Sequence, residues 1–285
     1  MTPMVQAFFD EATNTVTYVV RDPAGTACAV VDAVLDFDYA SGRTDTRAAD
    51  AVVAYIRAEG LRLHWVLETH VHADHLSAAP YLQKTLGGQL GIGAQITVVQ
   101  QTFGKVFNEG TAFARDGSQF DRLFQDGDGF AVGQMQGIVM HTPGHTPACL
   151  TYVIGDAAFV GDTLFMPDYG TARCDFPGGS AAVMYDSIQR ILALPDATRI
   201  FVCHDYKAPG REAFAWETTV AAQKALNAHL GLGKAGFVAM REARDATLAM
   251  PRLIIPSLQV NMRAGHMPEA EADGISYLKV PVNGM

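Results

Sequence analysis

Residues 63–76, Leu-His-Trp-Val-Leu-Glu-Thr-His-Val-His-Ala-Asp-His-Leu, constrain this chain more than any other stretch. The apolar run Leu63 to Leu67 predicts a strand. It leads directly into His70, His72, Asp74 and His75. Three imidazoles and a carboxylate within six residues are the ligand types that hold zinc, iron or manganese. His70 and His72 are two apart, so in an extended segment they face the same way. Asp74 and His75 open a predicted helix from Leu76 to Leu86 and can turn back on the same point. A polar loop whose histidines share nothing is the alternative, and a fourfold cluster at a strand end argues against it.

The same event recurs along the chain. Thr15 to Arg21 and Thr26 to Asp32 read as two strands about the turn Asp22-Pro23-Ala24-Gly25, and Asp32 ends the second with a carboxylate. Tyr39 to Thr46 reads as a polar loop and Arg47 to Glu59 as a helix, closed by Gly60. Further strands are expected at Leu90 to Gly93, Gln136 to Met140, Ala148 to Ile154, Ala157 to Val160 and Ile200 to Cys203. Helices are expected at Ile96 to Phe107, Ala181 to Leu194, Arg211 to Leu230 and Phe237 to Ala249, before an irregular tail from Pro251. Three of these strands run into His145, Asp162 and His204. Side chains just past strand ends combine a rigid support with access to solvent, which suits catalytic groups. The Thr-Pro-Gly before His145 suits a tight turn that presents the imidazole.

Composition narrows the function. A formal net charge of −9 with no compensating basic run argues against a nucleic-acid partner. No apolar stretch is long enough for a bilayer, and Met1 to Asp10 lacks the pattern of a secretion signal. The scattered Cys28, Cys149, Cys174 and Cys203 form no Cys-x-x-Cys pair, so a reducing cytoplasm is the expected setting.

His70-Val-His72-Ala-Asp74-His75, His145 in Thr-Pro-Gly-His, Asp162 in Gly-Asp-Thr and His204, in that order, resemble the metallo-β-lactamase superfamily. The resemblance covers roughly Val5 to Tyr206. It implies an α/β fold, an αββα sandwich of two mixed β-sheets flanked by helices, with a metal site at one edge. Periodicity alone leaves a doubly wound α/β fold open. The corresponding division is a core over residues 1–206 and a C-terminal helical extension and tail over 207–285, packed on the core. The helices after Tyr206 are expected to cover the sandwich or to build a homodimer contact.

Within the superfamily, Thr142-Pro143-Gly144-His145-Thr146-Pro147, Phe159 to Leu164, Arg173-Cys174-Asp175-Phe176 and His204-Asp205-Tyr206 resemble the persulfide dioxygenase branch. Met240 to Asp245 and Val260 to His266 resemble a bacterial subgroup of β-lactamase hydrolase-like proteins. The branch carries Gly-Cys-Gly-Arg-Thr-Asp-Phe where this chain has Tyr169 to Phe176. Some members of the subgroup carry a fused sulfurtransferase-like domain, so a separate sulfurtransferase partner is an expectation here.

The resemblance allows two chemistries. In the persulfide dioxygenases one Fe(II) per chain sits on the positions matching His70, His145 and Asp162. His72, Asp74, His75 and His204 then orient ligands and water by hydrogen bonds. Such an enzyme oxidises glutathione persulfide with O2 to sulfite and glutathione. In zinc thioester hydrolases of the glyoxalase II kind, two Zn ions use every position, with Asp162 bridging. The motif itself is common to both. For substrate contacts, Arg173 suits a glutathione carboxylate, with a salt bridge to Asp175 as the equal alternative. Tyr206 is expected to line the pocket or to have its hydroxyl held by backbone.

Overall fold

The computed structural model describes residues 1–284. The period-2 pattern of the early strands decides the layering. In Thr15–Arg21, Val16, Tyr18 and Val20 enter one apolar cluster while Val19 enters another on the opposite face. Both faces are buried, so helices must cover the outer one.

Two six-stranded sheets result. The first runs, in spatial order, Met4–Asp10, Thr15–Arg21, Ala27–Val31, Arg62–Leu67, Gln89–Gly93 and Arg122–Phe124. Its last three pairings are parallel. Parallel neighbours need crossover connections, and the helices Arg47–Ala58, Ala79–Leu86 and Ile96–Val106 provide them. The second runs Gly129–Val132, Met135–His141, Leu150–Ile154, Ala157–Phe159, Arg199–Phe201 and Glu217–Thr219. It is antiparallel except where Ala157–Phe159 meets Arg199–Phe201, across the helix Ala181–Leu192. A small third sheet joins Arg43–Asp45, Val34–Asp38 and Leu76–Ser77.

Tyr18, Leu67, Phe124, Tyr152, Phe159 and Phe201 fill the space between the large sheets. The first three helices pack outside the first sheet, and Ala181–Leu192 and Gly233–Asp245 outside the second. The architecture is therefore a sandwich of two mixed sheets with helices on both outer faces.

Several segments differ from the sequence reading. Leu76–Ser77 is a short strand, so the helix starts at Ala79 and Asp74-His75 sit in the turn before it. Arg211 to Leu230 is not one helix. Thr218 and Thr219 extend an edge strand on Arg199–Phe201, and the helix spans only Val220–Leu226, its first turn capped by the Thr219 hydroxyl. The tail holds a buried helix, Ile254–Asn261, whose Pro256 lies in the first turn, where its missing N–H does no harm. Met4–Asp10, Val34–Asp38 and Arg43–Asp45 form strands absent from that reading, the last lying within the expected polar loop.

Candidate metal centre

The site forms where strands of both sheets end. Arg62–Leu67 releases Glu68 to His75, Met135–His141 releases His145, Ala157–Phe159 releases Asp162 and Arg199–Phe201 releases His204. Backbone bonds join the two halves directly: Leu150 donates to the Thr69 carbonyl at 2.8 Å, and Val16 to the Cys203 carbonyl at 2.8 Å. Two glycines permit the close approach. Gly144 has φ +143° and a Cβ there would lie 2.4 Å from Met184, while Gly161 has φ +50° and would meet Thr69 at 2.5 Å.

His70, His145 and Asp162 present ligand atoms that all lie within 4.8 Å of one another, and all three residues are buried. His70 Nε2 stands 3.9 Å and His145 Nε2 3.6 Å from the same Asp162 oxygen. Those distances exceed hydrogen bonds. Atoms about 2.1 Å from a shared ion stand roughly 3.0–3.4 Å apart, so the group needs only a slight contraction. His72, Asp74 and His75 form a second such group. Asp74 lies 3.4 Å from both His75 and His204, and His204 lies 3.4 Å from the other Asp162 oxygen. The His75 and His204 rings are 6.3 Å apart, and among the described residues Asp74, His75 and His204 do not make one mutually close set.

Hydrogen bonds sort the ring nitrogens. His145 Nδ1 donates to the Arg173 carbonyl at 2.8 Å, and His204 Nδ1 to the Asn14 carbonyl at 3.2 Å. The Thr69 hydroxyl donates to Asp32 at 2.8 Å and so accepts from His70 Nδ1 at 3.0 Å. In all three, Nε2 is left as a lone pair facing the centre. His72 is reversed: its Nε2 faces Asp32 at 3.0 Å and Glu68 at 3.4 Å, which leaves Nδ1 inward. His70 Nε2, His72 Nδ1, His75 Nε2, His204 Nε2 and Asp162 Oδ1 are buried with no hydrogen-bond partner. Orphaned buried polar atoms are costly and rare. Five converging at one place match a metal site.

The electrostatics agree. Burial, reinforced by His72 and His145, pushes His70 well below the usual imidazole range, so it is neutral as a ligand must be. Burial also opposes charge on His72, but the Asp32 carboxylate more than reverses this and raises it. Desolvation would raise Asp74, yet His204 and His75 hold it well below the usual carboxylate range.

Three supporting residues escaped the sequence reading of the site. Asp32, at φ +52°, accepts the Thr69 N–H at 2.7 Å besides facing His72. Glu68 accepts from the Ser77 hydroxyl at 2.6 Å. Asn261, in the tail helix, donates to the carbonyls of His72 at 2.9 Å and His75 at 2.8 Å and accepts from Ser77 N–H at 2.8 Å. The Asp32 carboxylate at a strand end was a visible signal; the other two had none from spacing.

A cavity of about 370 Å³ opens over the centre, with Asp74, His145 and Asp162 in its lining and Phe165, Tyr169 and Phe176 among its apolar walls. Tyr206 also lines it, 39% exposed, its ring stacked on His204 with centroids 5.7 Å apart. Arg173 lines it too, but its fork grips Asp175 at 2.6 and 2.7 Å and its third nitrogen the Ala249 carbonyl at 2.7 Å. The salt-bridge alternative is therefore what the fold displays. All four cysteines are buried and unpaired, and burial pushes the Cys28 and Cys149 thiols up to about 12. No described helix is long and apolar enough to cross a membrane.

Fold and site together define a metal-dependent enzyme scaffold, and the comparisons agree: residues 11–204 match the model of the metallo-beta-lactamase superfamily, and the chain belongs to that family. It is 56% identical to a probable metallo-hydrolase of Burkholderia pseudomallei, over 99% of both chains. A beta-lactamase hydrolase-like protein of Xylella fastidiosa is 53% identical over the whole chain, which spans 66% of that relative's length. A Dictyostelium discoideum protein named glyoxylase B2 is 46% identical over 98% of this chain and 97% of its own. The human mitochondrial persulfide dioxygenase ETHE1 is 29% identical over 92% of this chain and 89% of its own. Among solved structures, ETHE1 from Myxococcus xanthus superposes with a TM-score of 0.73, at 29% identity, over 92% of this chain and all of its own.

Proposed function

We propose that the chain is a non-haem iron persulfide dioxygenase that oxidises glutathione persulfide with O2 to sulfite and glutathione. The observation that carries this reading is the compact His70, His145 and Asp162 group, two imidazoles and one carboxylate with mutually close ligand atoms. That is the donor set of non-haem Fe(II) oxygenases. Iron bound there would supply open positions for a sulfur and for oxygen, and the capacity to exchange electrons with both.

The remaining roles fall to the chain itself. The Arg173 and Asn14 carbonyls and the Thr69 hydroxyl fix the tautomers of His145, His204 and His70. His204 sets its unprotonated Nε2 3.4 Å from Asp162 and from Asp74, where it can accept a proton beside the ligand carboxylate. Asp32 and Glu68 hold the His72 ring from outside. Phe165 and Phe176 give the cavity apolar walls beside His204 and His145.

A second reading, a two-zinc hydrolase of glutathione thioesters, is favoured by one observation: the 46% identity to a relative named glyoxylase B2. Oxygen uptake separates the two. Consumption of O2 on addition of glutathione persulfide, with sulfite formed in equal amount, is the expected result. Hydrolysis of a glutathione thioester with no oxygen uptake would overturn it.

A further inference from the structure

The cavity over the metal centre is lined by four arginines, and they divide into two kinds. Arg173 is held by Asp175 and the Ala249 carbonyl. Arg241 is buried, its guanidinium on Asp245 at 2.6 and 2.9 Å and on the Thr171 carbonyl at 3.0 Å. Both have their charge matched within the fold. Arg244 and Arg252 are exposed, and among the described residues neither guanidinium makes a hydrogen bond or ion pair. A chain of net charge −9 thus keeps two guanidinium groups free of direct partners in the lining of the pocket that holds its metal ligands, with Asp38 near enough to Arg252 to feel its charge.

Their surroundings fix what they can hold. Leu248, Pro251 and Leu253 of the same wall give an anionic ligand's carbon skeleton an apolar rest. Beyond Arg252 a neighbouring cavity carries Asp10, Asp36, Asp38 and Asp45 together with Arg43 and Arg47, and Arg47 is already paired with Asp36 and Asp45. We propose that Arg244 and Arg252 select substrates whose non-reacting end carries carboxylates, gripping that end while the sulfur reaches His145 and Asp162. Guanidinium forks pair with carboxylates through two charge-assisted hydrogen bonds, a geometry that a neutral ester cannot reproduce. The inference rests on the glutathione-conjugate reading and applies equally to persulfide and thioester chemistry, because the peptide end is common to both.

The test is a binding measurement that needs no turnover. Metal-loaded protein is titrated in a calorimeter with S-methylglutathione and with its diethyl ester, using wild type and the R244Q/R252Q double variant. Esterification is expected to weaken wild-type binding on the order of tenfold or more. The double variant should bind the diacid about as weakly as wild type binds the ester, with the ratio of the two affinities near one. Both side chains are exposed, so thermal unfolding of the variant should match wild type and exclude a folding defect. An unchanged affinity and an unchanged ester ratio in the double variant would overturn the arginine assignment while leaving the glutathione reading standing. Failure of wild type to bind either peptide would overturn the glutathione reading, and the arginine assignment with it.

Discussion

Each imidazole at the centre has two nitrogens, and the fold gives them different tasks. One is tied to a carbonyl, hydroxyl or carboxylate, and the other faces the cavity without a partner. This predicts unequal consequences of substitution. His145→Ala removes a member of the compact group and should abolish bound iron, read by elemental analysis of the purified variant. Asp32→Ala removes no proposed ligand but frees the His72 ring and the Thr69 hydroxyl. Metal affinity should fall about 10–100-fold with the fold intact, measured by chelator competition. The proposed ligands were legible because each is a His or Asp immediately past a strand, a local signal. Asp32 and Asn261 act on His72 from 40 and 189 residues away, and no periodicity encodes such a partner.

At the scale of elements, the chain after Tyr206 is anchored from both sides of the sandwich. Asp205 accepts Arg211 twice at 2.6 Å, and also the backbone N–H groups of Ala215 and Lys207. Burial would raise its pKa, but Arg211 and those donors bring it below its ordinary value of 3.8. A carboxyl whose folded-state pKa is depressed adds stability above its unfolded pKa and loses it as pH falls through the folded one. Asp205→Asn should therefore lower unfolding stability by about 2–3 kcal/mol at pH 7, because a buried pair loses one partner. The difference from wild type should shrink below about pH 4, as urea melts across pH would show. Asn261→Ala leaves two buried carbonyls and one N–H of the His72–Ser77 turn unpaired, and about 2–3 kcal/mol of stability should be lost in the same assay. Helix-type residues from Arg211 onward hid the edge strand Glu217–Thr219, because strand formation there depends on the free edge of Arg199–Phe201 and not on local propensity. The tail helix was hidden by Pro256, which reads as a breaker unless it falls in a first turn.

For the molecule as a whole, the order of strands and crossover helices was legible as α/β, but two packed sheets and one doubly wound sheet share that local pattern. The resemblance of the metal motifs decided between them, and the sandwich is what brings strand ends from both sheets to one edge. The same convergence leaves five buried polar atoms without protein partners. Metal should thus stabilise the native state by mass action, and chelation should lower the melting temperature reversibly. Iron content measures the central claim most directly. Protein purified without added metal, after growth with iron and zinc both available, should contain about one iron per chain and little zinc, as a two-histidine, one-carboxylate site predicts. About two zinc ions per chain with no iron would contradict it.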